Sequence, residues 1–135
     1  MDDLITHILR ECRTIAVVGL SPDPERDSYE VAAYLQAHGY RIVPVNPNAT
    51  EVLGERCHAD LRDIPERVDL VDVFRRSEAT PPIAEAAVAI GAKALWLQLG
   101  IVNEEAAAIA RAGGLDVVMD RCTMVEHQAR HLVLR

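Results

Sequence analysis

Short runs of apolar and β-branched residues recur along the chain and alternate with alanine-rich segments. The apolar runs cover residues 14–18, 41–45, 70–74, 94–99 and 116–119. Because a strand covered on both faces reads as a continuous apolar run, these segments predict five parallel strands. Apolar positions with a period of about 3.6 predict helices between the strands. The predicted helices are residues 29–37, 80–90 and 103–112, with an additional N-terminal helix in residues 1–12.

The alternation of strands and helices predicts an α/β fold. We expect a Rossmann-like, doubly wound, five-stranded parallel sheet with the strand order 3-2-1-4-5 and right-handed crossovers. Residues 51–67 are the least regular and predict a short strand or a helical turn. Ligands of such sheets bind outside the carboxyl ends of the strands, where the strand order reverses. The predicted switch point lies between the first and fourth strands.

Composition narrows the class of protein. The chain has 135 residues, 50% of them apolar, and this predicts a single domain over residues 1–135. A net charge of -7 without a basic stripe argues against nucleic-acid and anionic-membrane partners. The apolar runs are much shorter than the roughly 20 residues that span a bilayer. Asp2 and Asp3 stand where a signal peptide has basic residues, so we expect a cytoplasmic protein.

The cysteines and histidines predict neither a disulfide framework nor a metal site. Cys12, Cys57 and Cys122 are an odd number of widely spaced cysteines without a CxxC motif, which favours free thiols. His127 and His131 stand one helical turn apart, a spacing that suits two metal ligands. The competing interpretation is a solvated terminal helix. The sequence assigns no third ligand.

The stretch "IAVVGLSPDPERDSYEVAAYL" predicts a strand, a turn and a helix in the order that holds a phosphate. Gly19 allows a close approach of the backbone to a ligand. Ser21 and Ser28 add hydroxyl groups, and Arg26 adds a guanidinium that suits two phosphate oxygens. We expect Ser28 to cap a helix that begins at Tyr29. The alternative is an irregular loop without a ligand.

The end of the second strand argues against NAD. A dinucleotide site expects an acidic residue there to bind the ribose hydroxyls. This sequence has Asn46, Pro47 and Asn48 instead. The site therefore suits an adenine nucleotide whose ribose carries a phosphate better than it suits NAD.

Five separated blocks occur in the same order as in a known family. They are "VVGLSPDPERDSYEVAAYL", "GYRIVPVNP", "VDLVDVFRRSEA", "IGAKALWLQLGIVNEEA" and "GLDVVMDRC". On these blocks the chain resembles the stand-alone CoA-binding protein family, which is similar to the CoA-binding domain of the succinyl-CoA synthetase alpha subunit. The resemblance spans residues 14–126 and implies coenzyme A as the cofactor.

The resemblance also implies where the parts of CoA would lie. The pyrophosphate would lie in the first turn, the adenosine beside the end of the second strand and over the third, and the pantetheine arm along the fourth, with its thiol end toward the fifth. For the turn, the implied residues are Gly19, Leu20, Ser21, Pro24, Arg26, Ser28 and Tyr29. For the adenosine they are Asn46, Pro47, Val73, Phe74 and Arg75. For the arm and its thiol they are Gln98, Gly100, Ile101, Asp120, Arg121 and Cys122. Arg75 could equally form a surface ion pair.

Residues 46–48 contain no basic side chain, so the partner of the CoA 3'-phosphate must come from elsewhere. The candidates are Arg26, Arg41, Arg56 and Arg75.

The resemblance implies binding without catalysis. In the synthetase, catalysis needs a phosphorylated histidine from a second domain and a partner subunit, and no catalytic residue is predicted here. The expected function is a carrier, sensor or regulatory partner that binds CoA or acyl-CoA. The alternative is a nucleotide-dependent reductase or transferase that uses the same cleft. Cys122 is either a reactive thiol activated by Arg121 and a helix near Thr123, or an inert buried one.

Overall fold

The computed structural model describes residues 2–132, which form helices on both faces of a parallel sheet. The helices are α1 (Asp2–Glu11), α2 (Asp27–Ala37), α3 (Thr80–Ala89), α4 (Glu104–Ala112) and α5 (Thr123–Arg130). The strands are β1 (Thr14–Val18), β2 (Arg41–Val45), β3 (Glu51–Val52), β4 (Glu55–Arg56), β5 (Leu70–Val73), β6 (Ala94–Leu97) and β7 (Asp116–Val118). The predicted Rossmann-like α/β fold is confirmed.

The main sheet has five parallel strands in the order β2-β1-β5-β6-β7. Ile15 of β1 lies opposite Ile42 of β2 on one side and Leu70 of β5 on the other. β3 and β4 form a separate antiparallel hairpin, and a turn of 3-10 helix at Leu61–Asp63 follows it. Residues 51–67 therefore contain both of the short elements that their pattern allowed.

The predicted strand order is wrong. Numbered along the chain, the five long strands follow the order 2-1-3-4-5, so the switch point lies between the first and third strands. His58 makes an isolated parallel bridge to Val45, on the outer side of β2. This bridge occupies the place where a third strand of the expected order would lie. The segment is too short to extend the sheet, and the next strand pairs with β1 instead.

The two faces of the sheet have separate cores. Ala84, Ala87, Ala106 and Ala110 bring α3 and α4 close to one face. Helices α1 and α2 cover the other face, where Trp96 is fully buried. α4 begins where the Asn103 side chain accepts a hydrogen bond from the N–H of Ala106. In residues 2–132, no helix has the length and hydropathy that crossing a membrane requires.

Candidate functional site

The turn between β1 and α2 begins at a glycine that no other residue can replace without strain. Gly19 has φ +87°, a backbone conformation that L-residues rarely adopt. A Cβ at this position would lie 2.7 Å from the carbonyl oxygen of Phe74. The N–H of Gly19 donates to the carbonyl of Val45 at 2.9 Å. This glycine therefore brings the ends of β1, β2 and β5 together.

The predicted helix start and its cap are wrong. α2 begins at Asp27, two residues earlier than expected, and the residue before it, Arg26, makes no side-chain cap. Ser28 is buried in the first helical turn, where its Oγ accepts from the N–H of Ser21 at 3.0 Å. The serine thus ties the loop to the helix. Among the described residues, no hydrogen bond uses the N–H groups of Asp27 or Ser28, so both remain available to an anion at this helix terminus.

Three cavities adjoin one another at the carboxyl edge of the sheet. The turn cavity has about 290 Å³ and is lined by Gly19, Ser21, Arg26, Asp27, Ser28 and Phe74. The small cavity has about 190 Å³ and is lined by Val18, Val45, Pro47, Ala59, Asp60, Leu61, Arg62, Arg75, Pro82, Ile83 and Ala86. The large cavity has about 460 Å³ and is lined by Asp27, Glu30, Val31, Phe74, Arg75, Arg76, Gln98, Leu99, Ile101, Cys122, Met124 and Val125.

Arg75 lies where the three cavities meet. Its side chain lines both the small and the large cavity. Its Cδ would be 3.0 Å from a Cβ built on Gly19, which lines the turn cavity. Phe74 and Asp27 are shared by the turn cavity and the large cavity. The three spaces are therefore parts of one cleft.

Ten of the predicted site residues line this cleft and eight do not. The ten are Gly19, Ser21, Arg26, Ser28, Pro47, Phe74, Arg75, Gln98, Ile101 and Cys122. The eight are Leu20, Pro24, Tyr29, Asn46, Val73, Gly100, Asp120 and Arg121. Leu20 and Val73 are fully buried core residues. Several of the others shape the loops around the cleft rather than facing it.

The loop contacts show how this shaping works. Asn46 donates through Nδ2 to the carbonyl of Leu20 at 3.0 Å and so joins two of the loops. Asp120, at φ +60°, accepts through Oδ1 from the N–H of Gly100 at 2.7 Å. The Trp96 indole donates to the carbonyl of Arg121 at 2.8 Å. The last two bonds fix the loops that follow β6 and β7, whereas the first joins the loops that follow β1 and β2.

Arginines provide the positive charge of the cleft in a chain that is acidic overall. Arg26, Arg62, Arg75 and Arg76 line the cavities, and no ion pair among the described residues involves them. Arg41, in contrast, is held by hydrogen bonds to Glu66 and Glu55, which raise its pKa. Arg41 is thus engaged elsewhere, and Arg62, which the sequence did not point to, takes its place as a candidate partner of a phosphate.

A buried polar cluster lies behind the large cavity. Asp72 is fully buried at the centre of the sheet. Gln98 donates through Nε2 to Asp72 at 2.6 Å and to the hydroxyl of Thr123 at 2.9 Å. Burial raises the pKa of Asp72 to about 7, although the hydrogen bonds from Gln98 and Thr123 lower it. The signal for this cluster in the sequence is one carboxylate inside the apolar run "LVDVF".

The remaining thiols and imidazoles differ in their surroundings. Cys122 is half-buried and lines the large cavity, whereas burial raises the pKa of Cys12 to about 12. His127 is buried, with Nδ1 at 2.7 Å from the Tyr34 hydroxyl, so α5 is not simply a solvated helix. Within residues 2–132, no three His, Cys, Asp or Glu side chains come together to hold a metal ion.

The parallel sheet, with its cleft at the carboxyl edge, defines a Rossmann-like ligand-binding class of domain. The CoA binding domain family matches residues 13–128, and the chain belongs to this family. The resemblance found in the sequence is confirmed.

Relatives of similar size share most of the chain. Uncharacterized protein YneT of Bacillus subtilis (strain 168) is 44% identical over 123 residues, which cover 91% of each protein. The solved structure of a hypothetical protein from Pyrococcus horikoshii OT3 has a TM-score of 0.93 and 43% identity, and covers 96% of this chain and 91% of its own. The structure of cell-free ID.343 from Thermus thermophilus has a TM-score of 0.90 and 39% identity, and covers 96% of this chain and 98% of its own.

Larger relatives contain the domain as a small part. Acetate–CoA ligase (ADP-forming) II of Archaeoglobus fulgidus is 28% identical over 95 residues, which are 69% of this chain and 14% of the ligase. The alpha subunit of the corresponding Pyrococcus furiosus ligase is 41% identical over 59 residues, which are 43% of this chain and 13% of the subunit. The homology therefore extends to a CoA-binding part of these ligases.

Proposed function

We propose that this chain is a cytoplasmic protein that binds coenzyme A or acyl-CoA in the cleft and has no catalysis of its own. It would act as a carrier, a sensor or a regulatory partner. The family to which the chain belongs supports CoA as the ligand. The three free cysteines are in keeping with a reducing compartment.

The observation that carries the proposal is the junction of the three cavities at Arg75. CoA has three parts, and its pyrophosphate lies between the adenosine and the pantetheine arm. In our assignment the pyrophosphate meets the turn, where Arg26 and Arg75 can each donate two hydrogen bonds to phosphate oxygens. The unused N–H groups at the start of α2 add to this attraction.

The small cavity suits the adenosine and the large one suits the arm. Pro47, Leu61 and Ile83 give the small cavity apolar walls for a ring, and Arg62 stands beside them for the 3'-phosphate. Val31, Ile101 and Met124 give the large cavity the apolar walls that an aliphatic arm needs. Cys122 lies on the same wall. An acyl group on the thiol would extend the same apolar contact.

Binding without catalysis is supported by the residues that face the cleft. No histidine is among the residues that line the three cavities. The chain matches 14% of the length of the Archaeoglobus ligase, so the ligase activity belongs to a much larger protein. What the cleft offers is charge, apolar walls and hydrogen bonds, which are binding contacts.

Isothermal titration calorimetry with CoA, dephospho-CoA and NAD tests the proposal. We expect CoA to bind, dephospho-CoA to bind more weakly and NAD to bind least. Arg26→Ala removes one guanidinium from the turn and should weaken CoA binding by about tenfold or more, as the loss of a charge-assisted hydrogen bond does. Arg111→Ala, on the exposed face of α4, is the matched control and should bind like the wild type. No heat of binding with CoA at millimolar ligand would refute the proposal.

A further inference from the structure

The amide of Gln98 has its two ends in different surroundings. Its Nε2 donates both hydrogens, one to Asp72 Oδ1 and one to Thr123 Oγ1. The Thr123 hydroxyl itself donates to Asp72 Oδ2 at 3.2 Å. The two bonds that reach Asp72 therefore both come from donors, which suits an ionised carboxylate that can only accept.

The opposite end of the amide is left for the cleft. Among residues 2–132, no hydrogen bond has Gln98 Oε1 as its acceptor. Oε1 is nevertheless not fully buried, because it does not belong to the buried side-chain atoms that lack a hydrogen-bond partner. Gln98 is one of the residues that line the large cavity. Its carbonyl oxygen is therefore an acceptor presented to whatever occupies this cavity.

We propose that Asp72 and Thr123 are positioning residues that hold the Gln98 carbonyl toward the cleft, where it accepts a hydrogen bond from an amide N–H of the pantetheine arm. This inference rests on the proposed CoA function. Reversing the amide would place Oε1 against the Asp72 carboxylate and would leave Nε2 in the cleft. The ionised carboxylate, which predominates above about pH 7, repels Oε1, so at these pH values the wall selects a ligand that donates a hydrogen bond there.

Asp72→Asn tests the positioning without changing the size of the side chain. Asparagine can accept from Gln98 Nε2 or donate to Gln98 Oε1, so the amide loses its preference for one orientation. CoA and acetyl-CoA should then bind about three- to tenfold more weakly, the loss expected for one hydrogen bond. ADP has no pantetheine arm, and its affinity should stay unchanged. A purely structural defect would weaken ADP as well.

The matched control is Asp69→Asn. Asp69 precedes β5 at the opposite end from the cleft and accepts hydrogen bonds from the N–H groups of Arg13 and Thr14. This variant should bind CoA like the wild type. Unchanged CoA binding in Asp72→Asn, or an equal loss for ADP, overturns the proposal. A loss for CoA that acetyl-CoA does not share would assign the bond to the thiol and would also overturn it.

A second measurement separates the positioning from the proposed function, because it needs no ligand. In proton exchange by NMR, the Nε2 hydrogens of Gln98 should exchange far more slowly than those of the exposed Gln128. The protection should decrease in Asp72→Asn. If the wild-type protein fails to bind CoA but shows this protection, the proposed CoA function is wrong, whereas the positioning of the Gln98 amide by Asp72 and Thr123 still holds. Equal exchange rates at the two glutamines overturn the positioning itself.

Discussion

Asp72 is a carboxylate at the centre of the sheet, and its replacement by asparagine should change how stability depends on pH. Asp72 belongs to β5, which lies between β1 and β6; its side chain is fully buried, and burial raises its pKa to about 7. An unfolded aspartate has a pKa of about 3.9. Between these two values, the folded protein binds a proton that the unfolded chain does not bind. The stability that Asp72 contributes is therefore present at low pH and is lost as the pH rises toward the folded pKa.

The size of the effect follows from the two pKa values. A difference of about three pKa units corresponds to about 4 kcal/mol over the complete titration. Between about pH 5 and about pH 8, the wild type should lose roughly 2–3 kcal/mol of this free energy through Asp72. Asparagine does not titrate. The free energy of unfolding of Asp72→Asn, relative to the wild type, should therefore rise by this amount over the same interval.

Urea unfolding of both proteins near pH 5 and near pH 8 measures the difference. The comparison of the two proteins cancels the contributions of the other titrating groups, including His127. Burial and the nearby His38 lower the pKa of His127, so the stability that this residue contributes is lost as the pH falls, opposite to that of Asp72. A relative stability that stays constant between the two pH values would show that Asp72 has the same pKa in both states. The account of the buried cluster would then be wrong.

Further predictions concern the turn, the thiols and the contact between α2 and α5. Gly19→Ala should lower the free energy of unfolding by about 1–3 kcal/mol, because alanine is strained at φ +87° and its Cβ would meet the Phe74 carbonyl oxygen. Calorimetric melting measures this loss, and an unchanged Tm would contradict the strain. Iodoacetamide should modify Cys122 faster than Cys12 by peptide mass mapping, and CoA should protect Cys122; equal rates would contradict its place in the cleft. Tyr34→Phe should lower the free energy of unfolding by about 1 kcal/mol, because the His127 imidazole loses its one hydrogen-bond partner among the described residues; an unchanged urea midpoint would contradict this.

The hydrophobic periodicity predicted the helices and strands because the formation of each element depends mainly on its own local sequence. After the first residue, Thr14 in β1 and Arg41 in β2, both runs are apolar, and their predicted bounds agree with the structure. The strand order depends on a long-range choice, whether the segment around His58 extends the sheet, and no local pattern contains it. The start of α2 was misplaced for a related reason. Ser28 has the chemistry of a cap, but its hydroxyl bonds to Ser21 across the loop.

The sequence predicted those residues of the candidate site whose position in the fold, just after a strand, places them at the cleft. Residues just after the strands, such as Gly19, Arg75 and Gln98, follow from the rule that ligands bind at the carboxyl ends. Ile83 and Met124, which also line the cleft, come from helices and have the same apolar pattern as core residues. The sequence alone cannot separate those two roles. Arg62 was missed because its loop has no regular pattern that fixes where it folds back.

The most direct measurement is a crystal structure of the protein grown with excess CoA. The account predicts the pyrophosphate beside Gly19 and the start of α2, within reach of Arg26 and Arg75, with the adenine toward Pro47 and the arm beside Gln98. Density for CoA at any other surface, or a cleft that contains only water at saturating CoA, would contradict it.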